Sequence, residues 1–268
     1  MALAAALACA SASAALPEGQ EEIAARIVAH AGDHRLIVLG ELHGTRETPL
    51  LVQALMESYA ADGLPVQLGI ELPETENAAL STYLASNGDA AARLAVRDGG
   101  YWRVRNEAND GRRSQDMLDM IEAVRVLRAQ GRDVQVFGFD RIPPAEEAVS
   151  GSRDAAMASV VRERHARLPA TGRLLVLTGN IHGSREQRSP ATLTWLIGDL
   201  PLYNVRIEAR GGEFWGCRGY RRCGSLPLVA YDGPQPKPST AADRSYDLWV
   251  FLPRFSAARL LDVSGATR

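Results

Sequence analysis

Apolar positions along this chain follow two different periods, and the switching between them predicts the architecture. "RLIVLG" (35–40), "VQLGIE" (66–71), "VQVFGFD" (134–140) and "RLLVLTG" (173–179) are short, almost unbroken apolar runs, the pattern of strands buried on both faces. Between them the spacing becomes helical. "GQEEIAARIVAHAG" puts Ile23, Ile27 and Val28 on one face and stops at Gly32, and "ETPLLVQALMESYAADG" aligns Leu50, Leu51, Ala54, Leu55 and Tyr59 before Gly63. Further helices are read in "ETENAALSTYLAS", "SQDMLDMIEAVRVLRAQG", "SRDAAMASVVRERHARL" and "SPATLTWLIGDL". Strands alternating with helices predict an α/β fold, a mostly parallel open sheet flanked by helices on both faces. Past about residue 200 the rhythm changes. "LYNVRIEA" and "YDLWVFL" read as strands, separated by a cysteine-bearing loop and the proline-rich loop "DGPQPKPST". Residues 15–268 are therefore expected to form a single α/β domain with a C-terminal extension from about 200.

The first residues read differently. "MALAAALACASASAALPEGQ" has an apolar core, small residues and an A-x-A site at Ala12-Ser13-Ala14, the layout of a secretory signal peptide over residues 1–14. The run is too short to span a bilayer, so no transmembrane segment is expected, and the mature chain should be periplasmic or secreted. Acylation at Cys9 would make it a lipoprotein, a weaker reading of the same stretch. Removal of the signal leaves Cys217 and Cys223, which in an oxidising compartment would close a small loop by a disulfide worth about 2–3 kcal/mol. Zinc is the competing reading, but no second cysteine pair and no nearby histidine accompany them. A formal net charge of −2 gives no electrostatic reason to expect a nucleic-acid partner, and the basic "CRGYRRC" reads as a solvated loop.

Chemistry collects where the strands end. In open α/β sheets the ligand crevice lies at the carboxyl ends of the strands, and each apolar run here stops on polar groups. The first ends at Glu41 and His43, the second at Glu71, the third at Asp140, and the fourth at Asn180 and His182. "GELHG" and "GNIHG" repeat one pattern, G-x-x-H-G, at two tips. Two imidazoles and several carboxylates in one crevice suit either of two uses. They could hold a divalent transition metal through His43 and His182, or they could activate water directly, a histidine serving as base and a carboxylate fixing its tautomer. Nucleophile-elbow, Walker A, dinucleotide-binding and H-E-x-x-H motifs are all absent, which disfavours serine hydrolase, P-loop NTPase and nicotinamide-dependent chemistry. Arg153 in "RDAAMA" could reach the crevice and pair with Glu71, Arg46 could orient the neighbouring histidine, and "GGYWRVRNEANDGRRS" could form a lid.

"GELHGT" with "RE" after it, "FGFD", "RDAAMA" and "LTGNIHG", in that order over about residues 35–200, resemble the superfamily of erythromycin esterase-like hydrolases, ChaN-like haem-binding uptake proteins and Tiki proteases. Similarity to the esterases implies that Glu41 and His43 activate water with Glu71 and His182 assisting, although one residue separates Glu41 from His43 where the esterase pattern has two. Similarity to the Tiki branch implies a metal-dependent, peptidase-like site. Similarity to the ChaN branch implies haem as the ligand, with no single match for a ligating tyrosine among Tyr59, Tyr83 and Tyr101. The expectation taken forward is an exported hydrolase-like protein acting on an ester, lactone or amide, with a small-molecule or peptide substrate. Glu41, His43, Glu71 and His182 would be catalytic, and Arg46, Asp140, Arg153 and Asn180 would bind substrate. The alternative is a haem or metal carrier of the bacterial envelope.

Overall fold

The computed structural model describes residues 19–142, 151–234 and 245–261. The expected signal peptide with Cys9, and most of the proline-rich loop, lie outside the described residues. In chain order the elements are α1 (Gln20–Ala31), β1 (Leu36–Glu41), α2 (Glu47–Ala61), β2 (Val66–Pro73), α3 (Asn77–Leu84), α4 (Ala90–Arg97), α5 (Gln115–Ala129) and β3 (Val134–Asp140). There follow α6 (Ser152–Ala166), β4 (Arg173–Gly179), α7 (Leu193–Leu196), β5 (Leu202–Ala209), β6 (Gly212–Cys217), β7 (Cys223–Leu228) and β8 (Leu248–Leu252).

Six strands form one sheet in the order β3-β2-β4-β1-β5-β8, and every neighbouring pair is parallel. Each strand sends alternate side chains to opposite faces. Ile37, Leu39, Leu68, Ile70, Leu175 and Leu177 pack with residues of α1, α2 and α5 on one side. Leu36, Val38, Phe137, Phe139, Leu174 and Val176 pack with α6 and α7 on the other. All six residues of β1 are buried, which is why its sequence does not alternate. β4 lies between β1 and β2, although it follows both in the chain. Its register with β1 runs from Leu36 opposite Leu174 to Glu41 opposite Gly179, so the two G-x-x-H-G tips come out side by side.

Three elements refine the reading from sequence. The C-terminal part divides in two: β5 and β8 extend the parallel sheet, while β6 and β7 form a separate antiparallel hairpin closed by a Cys217–Cys223 disulfide. The helix read in "SPATLTWLIGDL" shrinks to the four residues of α7, capped by the Thr192 hydroxyl. α4 is not among the helices read from the sequence; it is short, and Val96 is its one buried residue. It starts because the Asp89 carboxylate accepts the Ala92 N–H at 2.9 Å. Among the described residues, no helix is long and apolar enough to cross a membrane.

Candidate active site

Glu71, at the end of β2, is the centre of the strand-tip cluster and only 7% exposed. Its Oε1 accepts from Arg112 Nη1 at 2.8 Å and Arg153 Nη2 at 2.7 Å. Its Oε2 accepts from the Thr178 hydroxyl and the Gly179 backbone N–H, both at 2.8 Å and both at the end of β4. Burial by itself would push this carboxyl up. The positive charges of His43, Arg112 and Arg153 outweigh that and hold it far below the usual carboxylate range. With four donors on it, Glu71 is an ionised counter-charge with no free lone pair for shuttling protons.

The imidazoles approach Glu71 from its two sides. His43 Nδ1 donates to Glu41 Oε1 at 2.9 Å, leaving Nε2 at 3.6 Å from Glu71 Oε2, too far for a hydrogen bond. His182 Nδ1 lies 2.7 Å from Asp154 Oδ1 at the start of α6, and its Nε2 is 4.0 Å from Glu71 Oε1. Arg153 Nη1 stands 3.2 Å from His182 Nε2. A guanidinium can only donate, so His182 presents a lone pair at Nε2 and carries its proton on Nδ1. Asp154 Oδ1 also accepts the Leu193 N–H at 2.7 Å, which ties this dyad to α7. For His43, burial works against the charged form, but the Glu41 hydrogen bond and the charge of Glu71 overcome it, and the pKa is raised above 6.5. Gly179 makes room for that ring: a Cβ there would sit 2.8 Å from His43 Nε2.

Arg153 is held by a fork, its Nε and Nη2 donating to the two Asp140 oxygens at 2.9 and 2.8 Å. Arg112 comes from the segment between α4 and α5 and is clamped by Asp110 at 3.0 and 2.6 Å. That segment lies over the β1 tip. Gly111 and Gly44 both have left-handed backbones, and a Cβ on Gly111 would fall 2.3 Å from Gly44 Cα. The β6–β7 hairpin clips the two together: the Trp215 N–H donates to the Gly44 carbonyl and the Trp215 indole N–H to the Asn109 carbonyl, each at 2.8 Å.

Of the residues expected at the site, Glu41, His43, Glu71, Asp140, Arg153 and His182 come together. Arg46 does not. It precedes the first turn of α2, and its exposed guanidinium faces Asp116 at 3.8 Å. Asn180 contributes its backbone, the N–H donating to the Glu41 carbonyl at 2.8 Å and the carbonyl accepting from the Tyr246 hydroxyl. Arg185, another neighbour of a motif histidine, is forked onto Asp247. Sequence reasoning missed Asp154, Arg112 and Thr178 as site residues. Asp154 stands next to Arg153 in "RDAAMA", and Arg112 lies in the stretch read as a lid. The donor set suits a metal poorly. Among the described residues no group of three or more His, Cys, Asp or Glu is arranged to hold one, and the positions beside Glu71 that a cation would take are filled by guanidinium groups.

Fold and site together define an α/β protein with a carboxylate–imidazole cluster at the carboxyl edge of a parallel sheet. No protein-family model and no curated protein matches the sequence. Among solved structures, the chain is similar to a mutant of the erythromycin esterase EreC in its open conformation (TM-score 0.63, 12% identity, covering 89% of this chain and 95% of that one). It is also similar to a protein from Bacillus cereus (TM-score 0.61, 10% identity, 93% and 94%) and to a succinoglycan biosynthesis protein (TM-score 0.57, 10% identity, 88% and 92%). At these identities the likeness is one of fold, and the chain has the erythromycin esterase-like fold that its strand-tip motifs imply.

Proposed function

We propose that this protein is an exported hydrolase that cleaves an ester, lactone or amide of a small molecule or peptide with water. The observation that carries the reading is the pair of carboxylate-anchored imidazoles aimed at opposite oxygens of one buried, ionised Glu71. His43 Nε2 accepts a proton from water while Glu41 holds the other nitrogen and steadies the resulting imidazolium. The water oxygen bonds to the substrate carbonyl carbon. Negative charge then develops on the carbonyl oxygen, and Arg153, whose side chain is about one-third exposed, is placed to receive it. When the bond to the leaving group breaks, His43 returns its proton to the departing oxygen or nitrogen. Glu71 takes no proton in this scheme; it balances the charge of the two guanidiniums and of His43. The shared fold with an erythromycin esterase and the disulfide, which suits a periplasmic or secreted location, support the same reading.

A metal-dependent site finds less support, since a dication beside Glu71 would meet Arg112 and Arg153 at close range. Haem carriage finds little support in the tyrosines. Tyr59 is core, the Tyr83 hydroxyl is committed to Glu122 on α5, and the Tyr101 hydroxyl is buried, its ring covered by the Arg113 guanidinium at 4.3 Å. The test is a panel of chromogenic esters, lactones and aryl amides with wild type and His43→Ala, run with and without a strong chelator. Chelator-insensitive turnover that His43→Ala abolishes is expected. Turnover unchanged by His43→Ala, or no turnover together with a saturable shift of the hemin Soret band, overturns the assignment.

A further inference from the structure

From an open cleft outside the strand-tip site we infer a second binding site, for a phosphate-bearing ligand. The cleft, of about 760 Å³, lies between the 103–108 segment and the tip of the β6–β7 hairpin, and Arg103, Arg105, Glu107 and Arg221 line it. Its volume is that of ordinary small-molecule sites.

Three observations set its chemistry. First, arginines line both walls, Arg103 and Arg105 on one and Arg221 on the other. A carboxylate is satisfied by one bidentate arginine, whereas a phosphate offers oxygens in several directions and suits convergent donors. Second, the local charge is positive after its acids are counted. Glu107 sits 3.6 Å from Arg105 and Asp98 sits 3.3 Å from Arg103, so each of these arginines meets one exposed carboxylate. Among the described residues, Arg218, Arg221 and Arg222 of the disulfide-closed loop have no carboxylate partner, although most other arginines at this end of the molecule do. Third, Arg221 is the one described non-glycine residue with a left-handed backbone, φ 52°, a conformation that persists only where the surroundings impose it. The closed loop does so, and the side chain beyond it lines the cleft. The net charge of the whole chain, −2, masks this concentration.

The phosphate could belong to a lipid headgroup or to a soluble compound. The exposed Tyr220 beneath the Arg221 guanidinium would serve the first. The test uses the full chain in two arms: calorimetric titration with inorganic pyrophosphate, and co-sedimentation with phosphatidylcholine vesicles with or without phosphatidylglycerol. Saturable binding is expected in at least one arm, weakening as salt is raised. It should fall about tenfold or more in the Arg105→Gln/Arg221→Gln double variant, whose positions are exposed, and persist in His43→Ala. Which arm responds identifies the source of the phosphate. Absence of binding in both arms, equal binding by the double variant, or loss of binding in His43→Ala would overturn the site. None of these outcomes depends on whether the protein hydrolyses anything.

Discussion

The tips of β1 and β4, Gly40–Gly44 and Gly179–Gly183, lie side by side, and each carries an imidazole whose Nδ1 is held by a carboxylate. The carboxylates come from different places. Glu41 stands two residues before its histidine on the same tip, whereas Asp154 reaches His182 from the start of α6. The far nitrogens differ as well. His43 Nε2 has no donor on it and lies 3.6 Å from Glu71, while His182 Nε2 already accepts from Arg153. Two copies of one five-residue pattern thus acquire different chemistry from what the tertiary structure places beside them. In the proposed mechanism proton transfer belongs to His43, while His182 accepts from Arg153.

The largest expected effect separates the two histidines directly. His43→Ala should lower kcat/KM by about 10²–10⁴-fold, the range of a lost general base, with His182→Ala costing about an order of magnitude less. Equal losses would erase the distinction. Next, Glu71→Gln would leave Arg112 and Arg153 facing an uncharged amide, and should lower unfolding free energy in urea by about 3 kcal/mol. Because the Glu71 pKa is depressed, that stabilisation is present above the ordinary carboxylate range and is lost only as pH falls far below it. An unchanged urea midpoint would show that Glu71 is not the shared counter-charge.

A subtler effect lies in the pH profile. The raised His43 pKa means that the base form, and with it kcat/KM, should appear as pH rises through a value above 6.5. The contribution of charged His43 to stability has the opposite sense: complete below 6.5, it fades as pH rises through the folded value. Glu41→Gln should move the acid limb of activity downward; a limb that stays put would remove Glu41 as the orienting partner. The smallest effect is Trp215→Phe, which keeps an aromatic side chain and the backbone bond to Gly44 but loses the indole bond to Asn109. It should cost about 1 kcal/mol in stability and lower kcat a few-fold with KM little changed. A change in KM alone would assign Trp215 to substrate contact.

The sheet and much of its polar edge were legible in the sequence, because a buried parallel strand writes itself as a local apolar run and the site residues punctuate its end. Glu41, His43, Glu71, Asp140 and His182 are all of that kind. Their partners are not. Arg112 and Asp154 reach Glu71 and His182 across 41 and 28 positions of chain, and only the packing of the segment between α4 and α5 and of α6 brings them there. Proximity in sequence misled at Arg46, where the start of α2 carries the side chain away from the neighbouring histidine and onto Asp116. The disulfide was expected from the spacing of Cys217 and Cys223 together with the signal-like first residues. That its hairpin would brace the β1 tip through Trp215 was beyond reach, because the docking runs through backbone groups that carry no residue signature.

The most direct measurement is a histidine-selective ¹⁵N NMR titration of the full chain, wild type beside Glu71→Gln, with His43 and His182 assigned by single substitutions. The wild type should show His43 titrating above 6.5 and the His182 proton on Nδ1, and Glu71→Gln should lower the His43 midpoint while shifting the His182 ring nitrogens. A His43 midpoint at or below 6.5, or a response to Glu71→Gln confined to one ring, would mean that the two imidazoles do not share a carboxylate.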